Sequence, residues 1–555
     1  MNTRYKLPTL LILLPAFSLL RLSAQNIDNE VYVESSYRPD VADADKISSM
    51  PEVEDTMSMA TQIDYTLLPS RVKTDYDPRP IKAATMVGTP LDKLYNSYLK
   101  LGLGNYTTPL VEYSIQNLRS KDYAIGAYFF HKSSHNKLEL DNTAKVPAGY
   151  GRNVLSLYGK KFMNDVVLTG NVGAKTHRLR YYGYNTANFP DSVPEPEAED
   201  IKQSFMLVYG EVGLRSNKGD SSDIDFNLLA RGEFLRDHYK FKEPHFKFHG
   251  NLSGPVSSFR IGTDIDFDYF ALNGPDSSIT ETLTTLHPYL LKRKDEWEIR
   301  VGGRLTFVGG QENKVRAYPE AMLRFHVIED ALVSFFGVSG YIENNSYQSI
   351  TDQNPYVIPG LLVRNTTHRL LAYGGIEGHL SKNSAYQLAV SFDEMEDMPF
   401  FLNDTNSLMQ NQFGVVYDDA DLIKIHGELD WRPYSYLKFF SQFNYYNYRM
   451  VAEDKPWHRP DFDFTFATTY NFKEKVYASV EYIFLGKRYA KNLYPDSPVV
   501  DLPNINDLNL KLEYKYSNVF SVFLDFYNLL SKEYYVWNQY PGQRINIIGG
   551  ITYKF

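Results

Sequence analysis

The chain has no cysteine among its 555 residues, which excludes disulfides, thiolate metal sites and a lipid-modified N-terminal cysteine together. Beyond its first two dozen residues it has no run of 18 uninterrupted apolar residues, so membrane-spanning helices are excluded as well. Positive charge is in deficit: 58 Lys and Arg against 67 Asp and Glu leave a net charge of −9, the wrong sign for a nucleic-acid partner. Tryptophan is scarce at 4, yet 44 Tyr and 34 Phe raise the aromatic share to 15%. That combination is high for a soluble enzyme and suits the two aromatic girdles that ring a transmembrane barrel at the bilayer surfaces. A low mean hydropathy is no objection, because barrel strands alternate apolar and polar residues and the average conceals the membrane face.

The N-terminus has the layout of a secretory signal: Arg4 and Lys6, an apolar stretch from Leu7 to Leu20, then Leu22-Ser23-Ala24. Cleavage is expected between Ala24 and Gln25. An uncleaved anchor is the rival reading, but Pro8 and Pro15 interrupt a run already short of the ~20 residues a spanning helix needs. Residues 25–93 are Pro-punctuated and acidic, with 13 Asp and Glu against 7 Lys and Arg from Asn26 to Lys93. They read as an extended segment that lies in the periplasm or occludes a lumen.

From residue 94 onward the chain turns to runs of period two. Ile224, Phe226, Leu228, Ala230, Gly232 and Phe234 alternate with Asp225, Asn227, Leu229, Arg231 and Glu233; the first set is expected to meet lipid and the second a polar interior. Phe462, Phe464 and Phe466 alternate with Asp461, Asp463 and Thr465, and Leu508, Leu510, Leu512 and Tyr514 with Asp507, Asn509, Lys511 and Glu513. A one-sided sheet in a sandwich would give the same faces, but the connections separate the two. Short turns, such as Met163 to Asp165, Phe472 to Lys475 and Tyr516 to Val519, alternate with long ones at Lys132 to Arg152, Arg178 to Lys202, Glu343 to Arg364, Glu394 to Gln410 and Lys487 to Asn504. Unequal ends are the mark of an outer-membrane barrel. Reading Asp418-Asp419-Ala420-Asp421 as a turn makes 23 runs, an odd number. Phe413, Val415, Tyr417, Ile423, Ile425, Leu429 and Trp431 keep one phase across it, so Gln412 to Trp431 is read as a single long strand. The expected fold is therefore all-β: a transmembrane antiparallel barrel of about 22 strands over residues 94–555, in the outer membrane, with both chain ends of the barrel facing the periplasm.

The last run places Ile545, Ile547, Gly549, Ile551, Tyr553 and Phe555 on one face. Its ending, Ile551, Tyr553 and the terminal Phe555, reads as the assembly signal recognised by the outer-membrane insertion machinery. Phe523-Leu524-Asp525-Phe526-Tyr527-Asn528-Leu529-Leu530-Ser531-Lys532-Glu533-Tyr534-Tyr535 followed by Gly549-Gly550-Ile551-Thr552-Tyr553-Lys554-Phe555 resembles the end of TonB-dependent outer-membrane receptors. Tyr98-Leu99-Lys100-Leu101-Gly102-Leu103-Gly104-Asn105-Tyr106 resembles their first barrel strand. The resemblance implies a transport-related barrel. Such receptors carry a folded plug inside the barrel, and residues 25–93 are too few and too poor in apolar pattern to be one, so a plug-less relative is expected. Val31, Tyr32 and Val33, within Glu30 to Glu34, form a candidate TonB-contacting segment.

No catalytic, cofactor or metal site is expected. His245 and His249 are four apart, which on a strand spans ~13 Å and prevents a shared ion; His131 and His135 read as surface histidines. Asp393, Glu394, Glu396, Asp397 and Asp404 could attract a hard cation, but read more simply as a solvated acidic loop. No Gly-x-Ser-x-Gly, His-Glu-x-x-His or phosphate loop occurs. Tyr181 to Tyr184 and Tyr445 to Tyr448 suit either sugar stacking or interfacial anchoring. A barrel this wide would breach the permeability barrier unless the N-terminal segment, inward-folded loops or a partner fill it. Two functions follow: passage of a solute or lipid across the outer membrane, or a scaffold that docks periplasmic or lipoprotein subunits. Beyond those, the expected partners are outer-membrane lipids and the insertion machinery.

Overall fold

The computed structural model describes residues 94–555, apart from 190–195, 218–223, 276–277, 311–312, 407–408 and 492–498. The expected cleavage site at Ala24 and Gln25, the candidate segment Val31, Tyr32 and Val33, and residues 25–93 as a whole lie outside the described residues.

The described chain forms one antiparallel sheet of 22 strands, each paired with its neighbours in sequence. The sheet closes on itself where the first strand (Ser97–Gly104) pairs with the last (Asn546–Lys554), from Tyr98 opposite Lys554 to Gly104 opposite Ile548. Ser97 and Phe555 complete the seam by exchanging backbone hydrogen bonds of 3.0 and 3.1 Å. Closure satisfies every strand edge, the condition a β-structure must meet in hydrocarbon. An even strand count brings both ends of the barrel to the same rim, where the turns are short.

Period two dictates the two surfaces. Leu157, Val212, Leu252, Val301 and Val390 are exposed on the outside, whereas Glu112, Glu233, Asn444, Asn509 and Asp525 are buried within. Inside, charges are paired across strands: Arg300 Nη2 reaches Asp264 Oδ2 at 2.9 Å, Arg304 reaches Glu320 at 3.1 Å, and Lys100 reaches Asp525 at 3.2 Å. Pairing is what makes carboxylates tolerable on a wall shielded from bulk water.

Phe413–Tyr434 is one continuous strand of 22 residues, as the unbroken phase across Asp418 to Asp421 predicts. Its partner Ser384–Asn403 runs 20 residues, which corrects the loop expected from Glu394: the connection begins only at Asp404. The ladder absorbs Glu396 and Asp397 as a bulge between Met395 and Met398. Alternation fails there because side chains on both faces are covered; Met395, Met398, Phe400 and Phe401 are all buried.

Candidate functional site

At the rim opposite the chain ends, the described parts of several long connections share one hydrophobic core, which includes Leu140, Val146, Tyr181, Tyr182, Tyr184, Tyr347, Ile350, Val357, Phe413 and Tyr540. These residues come from connections widely separated around the ring. Residues 181–201 join the fifth and sixth strands (Val166–Arg180 and Lys202–Ser216), and residues 344–365 join the thirteenth and fourteenth (Leu332–Glu343 and Thr366–Ser381). Eight strands at ~4.8 Å each place those loops roughly 40 Å apart along the wall, so their contact requires them to reach across the opening.

Hydrogen bonds fix the crossing. Tyr181 Oη donates to Val357 O at 3.0 Å, Tyr182 Oη donates to Pro541 O at 2.8 Å, and Asn411 Nδ2 donates to Tyr181 O at 2.8 Å. Tyr540 Oη donates to the carbonyl of Asn411. Aromatic rings fill the centre: Tyr356 and Tyr540 lie 3.8 Å apart by ring centroid, and Tyr182 meets Tyr540 edge-on at 4.9 Å. A backbone bridge pairs Val357 with Phe413, and Ile358 N donates to Phe413 O at 2.9 Å. Burial pushes the Tyr181 and Tyr182 phenols well above their ordinary range and Tyr356 up to about 12, so all three stay neutral and Tyr181 and Tyr182 keep the protons they donate.

The cap is fastened to the wall by carboxylates. A helical turn, Tyr347–Gln353, starts at the capping box of Ser346 and Ser349. Its free N–H groups at Tyr347 and Gln348 donate to the two oxygens of Glu243 at 2.8 and 3.2 Å, the pairing expected of an anion at a helix start. Tyr347 Oη donates to Asp237 Oδ2 at 2.9 Å, and Phe241 N donates to Asp237 Oδ1 at 2.8 Å.

Two further groups lock the cap. His458 is buried, donates from Nδ1 to Phe401 O at 3.0 Å and accepts at Nε2 from Asn538 N at 3.4 Å. Burial pushes it down to about 3, so the neutral tautomer with Nδ1–H is the one in place. Arg488 sends its guanidinium to the carbonyls of Val536, Tyr535 and Pro503 at 2.8 to 3.0 Å.

Among the residues singled out by sequence, Ile551, Tyr553 and Phe555 face outward, with the Tyr553 and Phe555 rings stacked at 5.6 Å. Tyr181, Tyr182 and Tyr184 are neither exposed sugar platforms nor interface anchors; they are buried in the cap. Tyr445 is exposed, while Tyr446 and Tyr448 stack on each other at 6.2 Å. Four of the five acidic residues are ion-paired locally: Asp393 with His368, Glu394 and Glu396 with Arg369, and Asp397 with Arg364, while Asp404 accepts from Asn406 N and Nδ2 at 3.2 and 2.8 Å. No cluster of three or more metal-ligating side chains occurs among the described residues. His245 and His249 bind different carboxylates, Asp268 and Asp266, and His131 is held by Asn153 at 2.6 Å.

No family model and no curated protein matches the chain in sequence. Solved structures do share its fold. The ferric-catecholate import receptor Fiu from E. coli K12 superposes with a TM-score of 0.62 at 10% identity, covering 84% of this chain and 82% of the receptor. The FrpB iron transporter from Neisseria meningitidis (F5-1 variant) gives 0.63 at 10% identity over 84% and 83%. The siderophore receptor PirA from Acinetobacter baumannii gives 0.63 at 10% identity over 84% and 81%.

Proposed function

We propose that this chain is a transport-related outer-membrane barrel, akin to TonB-dependent receptors but without a full plug, whose external mouth is gated by its own loops. The observation that carries the reading is the inward cap: loops eight strands apart meet over a lumen whose wall is lined with paired charges. A polar lumen suits a hydrated path, and a closure made of loops is the kind of element that can open without disturbing the cylinder. Shared fold with import receptors supports the same ancestry. Permeation of small sugars and amino acids into liposomes carrying the purified chain tests it. Little flux is expected at rest and clear flux once the cap is loosened; a chain that stays impermeable in both states refutes passage.

A second reading, a non-transporting scaffold for periplasmic or lipoprotein subunits, has one observation in its favour. The cap interior is packed like a protein core, with Phe413, Val357 and Tyr540 almost wholly buried, as a permanent closure would be. Purification in mild detergent separates the two readings, because a scaffold recovers stoichiometric partners and a passage does not need them.

A further inference from the structure

Closure at the seam leaves the sheet no free edge, yet one ladder inside it stops short. The twelfth strand (Lys314–Ile328) and the thirteenth (Leu332–Glu343) pair only from Ala321 opposite Val338 to Ile328 opposite Leu332. Towards the outer rim both strands run on. Residues 314–320 keep their partners on the eleventh strand (Trp297–Gly309), and Ser339, Tyr341, Ile342 and Glu343 keep theirs on the fourteenth, but the two stretches do not pair with each other. The local sequence accounts for the break. Continued from Ala321, the register would set Pro319 against Gly340; Pro319 has no N–H to give a ladder, and Gly340 is skipped by the irregularity between Ser339 and Tyr341. What stands in the gap is a side chain: the Tyr318 ring lies so close to Gly340 that a Cβ there would sit 2.5 Å from its Cδ1. The Tyr318 hydroxyl is buried and has no hydrogen-bond partner among the described residues. A closure made by an unanchored ring parts at less cost than one made of ladder hydrogen bonds.

On the lipid side of the same strands lies a hollow of about 650 Å³. Its floor is a row of small residues and prolines running from the ninth strand (Phe259–Asn273) to the twelfth, with Thr263 opposite Pro288 and Gly303 opposite Pro319, and with Leu286 and Leu305 beside them. These positions alternate with Asp264, Arg304 and Glu320, whose charges are paired inside the barrel, so the row faces outward. Elsewhere that surface carries large apolar side chains such as Ile261, Leu290 and Val301. Here they are withheld. A Cβ on Gly303 would meet only Tyr318 O, at 3.7 Å, so the space over it is open. Two residues of the inner face, Arg304 and Tyr318, also line the hollow, which brings it to the broken ladder. Arg304 is its one charged group and is engaged by Glu320 at 3.1 Å. A hydrated solute would find nothing there to bond, whereas the medium on that side of the wall is hydrocarbon.

We infer that the two features form a lateral port for lipid: an acyl chain of a membrane lipid lies in the hollow over Gly303 and, when the Tyr318 ring swings aside, reaches the lumen between the twelfth and thirteenth strands. Such a port works at the side of the barrel and is independent of passage through the mouth, because contact with lipid is read rather than flux. The test uses the full purified chain in phosphatidylethanolamine liposomes that carry a radiolabelled tracer of the same lipid. The photocrosslinker p-benzoylphenylalanine is placed, one position at a time, at three aromatic residues. Tyr341 faces the lumen beside the gap, with the Arg304 guanidinium 5.8 Å over its ring. Tyr128 faces the lumen ten strands away, where its hydroxyl donates to Glu112 at 3.0 Å. Phe336 lies on the lipid side, 50% exposed, and shows that the tracer reaches the wall. After irradiation, lipid is expected on position 341 severalfold above position 128. Tyr318→Ala should raise the labelling at 341 severalfold, and Gly303→Leu, which fills the hollow, should lower it severalfold. Heat-modifiable gel migration establishes that each variant is folded, and if Tyr318→Ala does not fold, Gly303→Leu decides alone. Labelling at 341 no stronger than at 128 overturns the inference, as does labelling at 341 that the folded variants leave unchanged.

Discussion

Tyr347 Oη donates to Asp237 Oδ2 across 2.9 Å, joining residues 110 positions apart in sequence. The bond ties the helical turn of the cap to the rim of the barrel, and the acceptor is itself held by the N–H of Phe241. Burial raises the Asp237 carboxyl above its ordinary range, so the phenol is supporting a charge that the site would otherwise disfavour. Replacing Tyr347 with Phe keeps the ring and removes only the donor. The expected loss is about 1–3 kcal/mol of local stability, read as faster amide hydrogen exchange across residues 344–361 while the strands stay protected. Equal exchange in both proteins would show that the cap does not depend on this tie.

His458 gives the cap a pH dependence whose sign is fixed. Its buried ring is held below the ordinary imidazole value, down to about 3, by burial and then by the nearby Arg488 and Arg459. A group depressed in the folded state contributes stability that is present above its ordinary value of 6.5 and lost as pH falls from there toward 3. Protonation would also turn the Nε2 acceptor into a donor facing Asn538 N–H. The cap is therefore expected to loosen progressively from pH 6.5 downward, by a few kcal/mol at most. His458→Gln should flatten that profile in hydrogen exchange of residues 528–545; an unchanged profile assigns the effect elsewhere.

The seam of the barrel depends on two facing glycines. Gly102 pairs with Gly550 where the first and last strands meet, and the Phe523 ring lies over both, with Lys100 Nζ 3.9 Å above it. A Cβ on Gly550 would collide with Leu101 O and sit 2.7 Å from Gly102 Cα. Gly550→Val is expected to cost about 1–3 kcal/mol or more through overpacking at the point of closure. Its signature is loss of the heat-modifiable folded band on cold SDS gels, and normal migration would show that the seam can widen.

The sequence makes the cylinder legible and the cap invisible, for one physical reason. A strand's environment is periodic, so Ile224 to Phe234 or Leu508 to Tyr514 declare their faces without knowledge of any partner. Even the long strand through Asp418 shows in its uninterrupted phase. Tyr181, Tyr182, Tyr184 and Tyr540 carry no such period, and the carbonyls to which Tyr181, Tyr182 and Tyr540 donate lie 129 to 359 positions away. In sequence they are indistinguishable from exposed loop aromatics. The one local signal was the pair Ser346 and Ser349, a capping box written with Ser in place of the usual Glu, opening a turn too short to show helical periodicity. Where Met395 to Phe401 are covered on both sides, alternation disappears and the strand end reads as loop.

Closure of the mouth by the chain's own loops is tested most directly by planar-bilayer recording. The full chain is compared with a variant whose residues 345–361 are replaced by a short Gly-Ser turn, each with and without residues 25–93. The cap variant lacking residues 25–93 is expected to show a large steady conductance, and its counterpart with an intact cap to stay nearly closed. A wide-open channel with the cap intact, or no change on its removal in either background, contradicts the account.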